Sequence, residues 1–207
     1  VLVHNLLARI WICCGLPDRA APEYQLACRY SEGEVWTENY SNYLLNLSYT
    51  TESAAEILQA SKRYGKFFTK LRQYRHEKHK QHEKLRIGYI SPDFRSHVVA
   101  VFARAFLEHY DRSVFEVYAY MNAQEDGISQ YLSGKVTVWR NIYGQTAAES
   151  AAEIYADEID ILVDLAGHTA HNSLPVLAYR PAPVQVSGIG YFATTGLDTV
   201  DYFLVDG

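Results

Sequence analysis

An α/β fold, with a doubly wound and mainly parallel sheet behind an α-helical segment, is the class that these 207 residues predict. Three observations carry it. From Leu85 onward, short apolar and β-branched runs alternate with helical patterns. Before Lys70 the apolar residues recur at three- and four-residue steps, as on helices. Between the two, residues 70–84 turn to Lys, Arg, His, Gln and Glu, which marks a boundary.

Composition narrows the class further. A chain of this length with 48% hydrophobic residues can bury a real core, so a disordered protein is excluded. The formal net charge of -5 argues against a general nucleic-acid binder. No apolar run is long enough to span a bilayer, and the start lacks the order of a signal peptide, so no membrane partner and a cytoplasmic location are expected. Cys13, Cys14 and Cys28 form no C-x-x-C spacing; they read as reduced, semi-buried thiols rather than disulfide or zinc ligands. The chain begins at Val1 in mid-pattern and stops just after the apolar run Asp201 to Val205, which reads as a piece of a longer protein.

The elements follow in order. Leu6, Leu7, Ile10 and Trp11, then Trp36, Tyr40, Tyr43, Leu44 and Leu47, are spaced as on paired helices, punctuated by Gly15-Leu16-Pro17 and Ser31-Glu32-Gly33. Thr50, Thr51 and Ser53 offer caps for a helix carrying Ile57, Ala60, Tyr64, Phe67, Phe68 and Leu71. In the basic stretch, His76, His79 and His82 stand three apart. A solvated linker or helix face is preferred there over a metal site, because no apolar shell surrounds them and Lys neighbours repel a cation; no metal is expected. A boundary near residue 80 separates a helical segment, 1–80, from an α/β lobe, 81–207.

In the lobe, strands are expected at Leu85 to Ile90, Phe115 to Tyr120, Val136 to Trp139, Ile159 to Leu165, Val184 to Gly188 and Tyr202 to Val205. Helices are expected at about Val98 to Tyr110, Gln124 to Leu132, Ala147 to Asp157 and Leu174 to Tyr179. Such alternation means parallel β-α-β units, so the loops after the strands gather on one sheet edge, where ligands bind in open α/β sheets. Those loops are Ser91 to His97, Asn122 to Gly127, Gly167 to Asn172 and Gly188 to Gly196.

Two of them offer histidines. Asp93 and His97 suit a site, yet also suit a turn cap and a helix start. His168 follows Gly167 at a strand end, while His171 reads equally as a surface residue. The run Gly188 to Gly196 suits close approach to a phosphate or stacking on a ring, or a structural turn. It is not a G-x-G-x-x-G fingerprint, so a nicotinamide or flavin site is disfavoured. Arg180 reads as a helix-end charge before Pro181 rather than an anion ligand.

The run Ser91-Pro92-Asp93-Phe94 with His97, Asp164-Leu165-Ala166-Gly167-His168-Thr169, Tyr179-Arg180-Pro181-Ala182-Pro183-Val184-Gln185-Val186, and Gly190-Tyr191 with Thr194-Thr195-Gly196 closely resembles the protein O-linked N-acetylglucosamine transferases. That family includes bacterial homologues and plant SPINDLY-type enzymes. The resemblance covers about residues 85 to 207, and residues 40 to 68 look like the end of the family's tetratricopeptide-type helices. It implies a GT-B glycosyltransferase with two Rossmann-like lobes, of which 81–207 would be the amino-terminal one. It further implies inverting transfer of N-acetylglucosamine from UDP-GlcNAc, a substrate rather than a cofactor, to Ser or Thr hydroxyls of a polypeptide acceptor. By resemblance, His97 matches the active-site histidine, and Asp126 lies in the acidic loop from which one member's proposed proton acceptor comes. His168 joins them as a site expectation, and Gly190, Tyr191, Thr194, Thr195 and Gly196 match a donor-reaching loop. Phe192-Ala193 replaces the usual Pro-Gly and Gly188 a common Trp, so loop shape or sugar preference differs here. Because most nucleotide-binding residues of the family lie in the other lobe, the chain alone is expected to be inactive. The alternative is a non-catalytic interaction module with a vestigial transferase lobe.

Overall fold

The computed structural model describes residues 1–51 and 53–205. Four helices come first: α1 (Leu2–Cys13), α2 (Pro17–Arg29), α3 (Gly33–Leu47) and α4 (Ala54–Lys66). The α4 start is capped by the Ser53 side chain, which accepts from the Glu56 amide at 3.3 Å. After an irregular linker come β1 (Leu85–Ser91), α5 (Val98–Glu108), β2 (Phe115–Met121), α6 (Gly127–Ser133), β3 (Val138–Asn141) and α7 (Ala147–Ala156). β4 (Ile161–Asp164), α8 (Leu174–Leu177), β5 (Val184–Gly188) and β6 (Tyr202–Leu204) complete the chain.

Among the described residues the strands form one sheet in the order β3-β2-β1-β4-β5-β6, and every pairing is parallel. This is the Rossmann order, in which the strand order reverses between β1 and β4 and leaves a crevice beyond their carboxyl ends. The two-residue period of a strand sorts the core: Val117, Ala119 and Met121 face α5 and α6, while Tyr118 and Tyr120 face α7. The helices α3 and α4 add Tyr40, Leu44, Leu47, Ala60 and Tyr64 to that second face, so helical segment and sheet share one core. Their approach is backbone-tight, for a Cβ on Gly196, whose φ is +73°, would run into the Ser61 carbonyl of α4, and one on Gly65 into the Gly196 carbonyl.

The element types agree with the sequence pattern, and the differences have local causes. The third strand starts at Val138 rather than Val136, because pairing with β2 begins at Tyr118↔Val138. The helix at 174 is a single turn, stopped where Arg180 takes φ +53° ahead of Pro181.

The linker over residues 70–84 is irregular and mostly exposed, as expected, but its Tyr and His rings pack on the lobe rather than in solvent. The Tyr74 amide donates to the Tyr179 carbonyl at 2.8 Å, the Tyr74 ring stacks on Tyr155 at 4.2 Å, and His79 and His82 lie half-buried against Asp160. Arg180 is not a helix-end charge either. It donates to the Thr199 and Pro183 carbonyls and to both Asp201 carboxylate oxygens at 2.9 and 3.1 Å, fastening the loops that enter β5 and β6. Of the three free thiols, Cys28 is half-buried, whereas Cys13 and Cys14 are exposed.

Candidate active site

The four loops singled out by the sequence lie at the carboxyl edge of the sheet, since all strands run the same way. At the crevice between β1 and β4, Asp93 is buried in the turn leaving β1, its amide donating to the Ser91 hydroxyl at 3.0 Å. Four residues on, His97 caps α5, where its Nδ1 accepts from the Val99 amide at 3.3 Å. The same Nδ1 stands 3.6 Å from Asp93 Oδ1, and 42% of the His97 side chain is exposed. Burial pushes the Asp93 carboxyl above its ordinary value, although the charges of His97, Arg95 and His171 pull the other way.

This geometry offers His97 two tautomers. Accepting from Val99 leaves the proton on Nε2, which then acts as a donor. A proton on Nδ1, turned toward Asp93, leaves Nε2 free to take a proton. Nε2 has no hydrogen-bond partner among the described residues.

Asp126 sits beside this pair as the N-cap of α6. Its carboxylate accepts from the Ser96 amide at 2.7 Å and from the Ile128 and Ser129 amides at 2.9 and 3.0 Å. The Ser96 and Ser129 amides hold its carboxyl below the usual range. The Ser96 bond ties the loop after β2 to the His97 loop, a link of 30 residues that sequence spacing does not reveal.

His168 is placed differently. It is fully buried, with Nδ1 on the Ser41 hydroxyl at 3.0 Å and Nε2 on the Thr195 carbonyl at 2.9 Å. Burial pulls its pKa down to about 4, so the ring is neutral. Both nitrogens are engaged, and the ring lies edge-on between Tyr64 and Tyr191.

The loop after β5 is also largely packed inward. Tyr191 and Thr195 are buried, and a Cβ on Gly190 would strike the Leu165 carbonyl. Thr194 is exposed, its hydroxyl accepting from the Gly196 amide at 3.2 Å, and Phe192 is exposed beside Tyr49. Next to the crevice, a cavity of about 240 Å³ opens between α3 and the loops after β2, β3 and β4, lined by Glu34, Glu38, Asn122, Tyr143, His171 and Asn172, among others.

The structure thus brings Asp93, His97 and Asp126 together and sets His168 one layer below. Asp93 as the partner of His97 is the pairing that sequence reasoning left open between a site and a turn cap. Its signal was the i,i+4 spacing to a histidine across a helix start.

Residues 65–207 match the profile of Glycosyl transferase family 41. A probable UDP-N-acetylglucosamine–peptide N-acetylglucosaminyltransferase SPINDLY of Arabidopsis thaliana is 41% identical over 178 residues, covering 80% of this chain and 19% of the relative. The Caenorhabditis elegans UDP-N-acetylglucosamine–peptide N-acetylglucosaminyltransferase is 31% identical over 128 residues, which cover 60% of this chain and 11% of the relative. Among solved structures, a Thermobaculum terrenum O-GlcNAc transferase carrying the K341M mutation superposes with a TM-score of 0.89 at 28% identity, over 99% of this chain and 40% of its own. The chain therefore spans about a fifth of the plant relative and two fifths of the solved transferase.

Proposed function

Because the chain belongs to glycosyl transferase family 41, we propose that it supplies one lobe of an inverting protein O-GlcNAc transferase. The donor is UDP-N-acetylglucosamine and the acceptor a Ser or Thr hydroxyl of a polypeptide reaching the crevice past α3. The acceptor oxygen bonds to the anomeric carbon while the bond to the UDP oxygen breaks and UDP leaves with the electron pair. The hydroxyl proton passes to His97 Nε2, whose Nδ1–H turns toward Asp93 as the imidazolium forms. The observation that carries this reading is the half-exposed His97 held between Val99 and the buried Asp93 at the strand-order switch.

The other site residues take supporting parts. Asp126 fixes the His97 loop through the Ser96 amide and adds negative charge at the crevice rather than taking the proton itself. His168, with both nitrogens bound, positions the loop after β5. In that loop Gly190, Tyr191, Thr195 and Gly196 keep the backbone shape, and the exposed Thr194 hydroxyl reaches the donor. The same reading puts the protein in the cytoplasm, which keeps its three thiols reduced. Among the described residues no helix is long and apolar enough to cross a membrane.

A second lobe is part of the proposal. Val98, Val101 and Phe102 of α5, next to His97, are 62%, 68% and 59% exposed, an apolar stripe fit for a covering domain. Without it the 207 residues bind UDP-GlcNAc weakly and transfer nothing. Labelled GlcNAc transfer by the longer parent protein and by the isolated chain tests this. Incorporation by the parent alone is expected; a folded parent inactive with nucleotide sugars refutes it and favours the interaction-module reading.

A further inference from the structure

On the opposite edge of the sheet, before β1 and β4, the linker histidines meet a carboxylate far away in sequence. His79 Nε2 lies 2.6 Å from Asp160 Oδ1, and His82 Nδ1 lies 3.2 and 3.1 Å from the two Asp160 oxygens. Ligand atoms from all three residues fall within 4.8 Å of one another. The side chains are 19%, 10% and 14% exposed, half-sheltered yet open to solvent from the face lined by Lys80, Gln81 and Leu85.

Proton counting makes this cluster unusual. His82 faces a carboxylate on each side, Asp160 at Nδ1 and Glu158 at Nε2, the latter at 3.4 Å. A neutral imidazole has one N–H and can donate to only one of them. His79 presses a second imidazole on Asp160 Oδ1, the oxygen that His82 also approaches. Either a second ring proton or a bound cation resolves the conflict; the cation takes the His82 Nδ1 lone pair and leaves Nε2–H to donate to Glu158. That is the carboxylate–histidine–metal arrangement of ordinary second-layer support. Asp160 is oriented in the same manner. Its Oδ2 accepts the Arg86 amide at 2.7 Å, which keeps Oδ1 turned toward the two rings. Glu158 is in turn held by Lys80 at 2.9 Å.

We propose that His79, His82 and Asp160 form a divalent transition-metal site, suited best to Zn²⁺, that clasps the linker to the amino edge of the sheet. Two imidazoles and one carboxylate are borderline ligands that favour Zn²⁺ over Mg²⁺ or Ca²⁺. Tetrahedral Zn²⁺ with bonds of about 2.0–2.2 Å needs its ligands roughly 3.3 Å apart. The ligand atoms already lie within 4.8 Å of one another, and those around Asp160 are 2.6–3.2 Å apart. Water fills the fourth position, and the site's role is to fix where the linker, and the helices before it, dock.

The test uses the 207-residue chain freed of metal with a chelator and titrated with ZnCl₂ by calorimetry, with Co²⁺ as a spectroscopic probe. One equivalent binding at low-micromolar or tighter affinity is expected, with the visible absorption of tetrahedral Co²⁺. Glu158→Gln should weaken binding by about 10- to 100-fold through loss of the oriented His82. The His79→Gln/His82→Gln double variant should abolish the stoichiometric site and the Co²⁺ band. Equal binding by that double variant, or millimolar affinity in the native chain, overturns the site. Should the variants fail to fold, ring ¹⁵N shifts of the native protein decide: His79 Nε2 and His82 Nδ1 must move on adding Zn²⁺, and their standing still refutes the proposal.

Discussion

At the carboxyl edge of the sheet, His97 keeps an unpartnered Nε2 and a half-exposed ring, whereas at the amino edge Arg180 gives its donors to two carbonyls and a carboxylate. The same contrast separates Asp93, 3.6 Å from the His97 ring, from Asp201, which accepts from the Arg180 guanidinium and the Gln185 amide. Polar groups that close on protein partners are committed to holding loops together. Those left open at a topological switch have their remaining valence available for a ligand. The difference teaches that residue type alone does not mark a site; unspent hydrogen-bonding capacity does.

The sharpest way to break this contrast is to remove the open groups. His97→Ala in the longer parent protein should lower transfer by about 10²- to 10⁴-fold, as for loss of a general base. It should also cost about 1 kcal/mol of stability, because a helix cap goes with it. Asp93→Asn should lower kcat with little change in KM, since it removes the anion that selects the basic tautomer. Steady-state kinetics on both variants read these effects.

His168 sits on the same edge but is committed to protein partners, so its effect should appear in stability. Its folded pKa of about 4 lies below the ordinary 6.5, so the folded state resists protonation. The resulting stability is present above pH 6.5 and lost as pH falls toward 4, to a total of roughly 3 kcal/mol at about 1.4 kcal/mol per unit. Chemical denaturation across that window should show the slope, and His168→Gln should flatten it. At the amino edge, Asp201→Ala leaves Arg180 without its anion and should destabilise by about 1–3 kcal/mol in a melt, with kcat unchanged.

The smallest effect has the opposite sign. Asp93 is raised by burial above its ordinary 3.8, so its contribution to stability is full below that value and is lost as pH rises through the folded value. Asp93→Asn should therefore be slightly more stable than the native chain at neutral pH, while less active. An equilibrium melt at pH 7 and pH 4 checks the reversal.

Much of the fold was legible because hydrophobic period is local: Val117 and Tyr118 already declare opposite faces of a strand. The site was legible only in part. His97 and His168 look alike as strand-end histidines, and what separates them is the docking of α3 and α4, which brings Ser41 across 127 residues of sequence. Likewise the linker histidines lack an apolar shell in sequence, yet Asp160 and Tyr155 supply shelter from about 80 residues away. For Tyr191 and Thr195 the resemblance implies a donor-reaching loop, while the Gly- and Thr-rich run itself also suits a structural turn. Such runs also arise where backbones must touch, as Gly190 does against Leu165.

The central claim is that His97 is open for chemistry while it also caps α5, and one substitution separates the two. Asn caps helices well and cannot act as a base at neutral pH. Labelled GlcNAc transfer by the longer parent protein carrying His97→Asn, with its melting temperature measured alongside, is the direct test. A variant with native-like melting and transfer down by about 100-fold or more is the predicted result. Native-like transfer by the same variant would contradict the account and leave His97 as a helix cap alone.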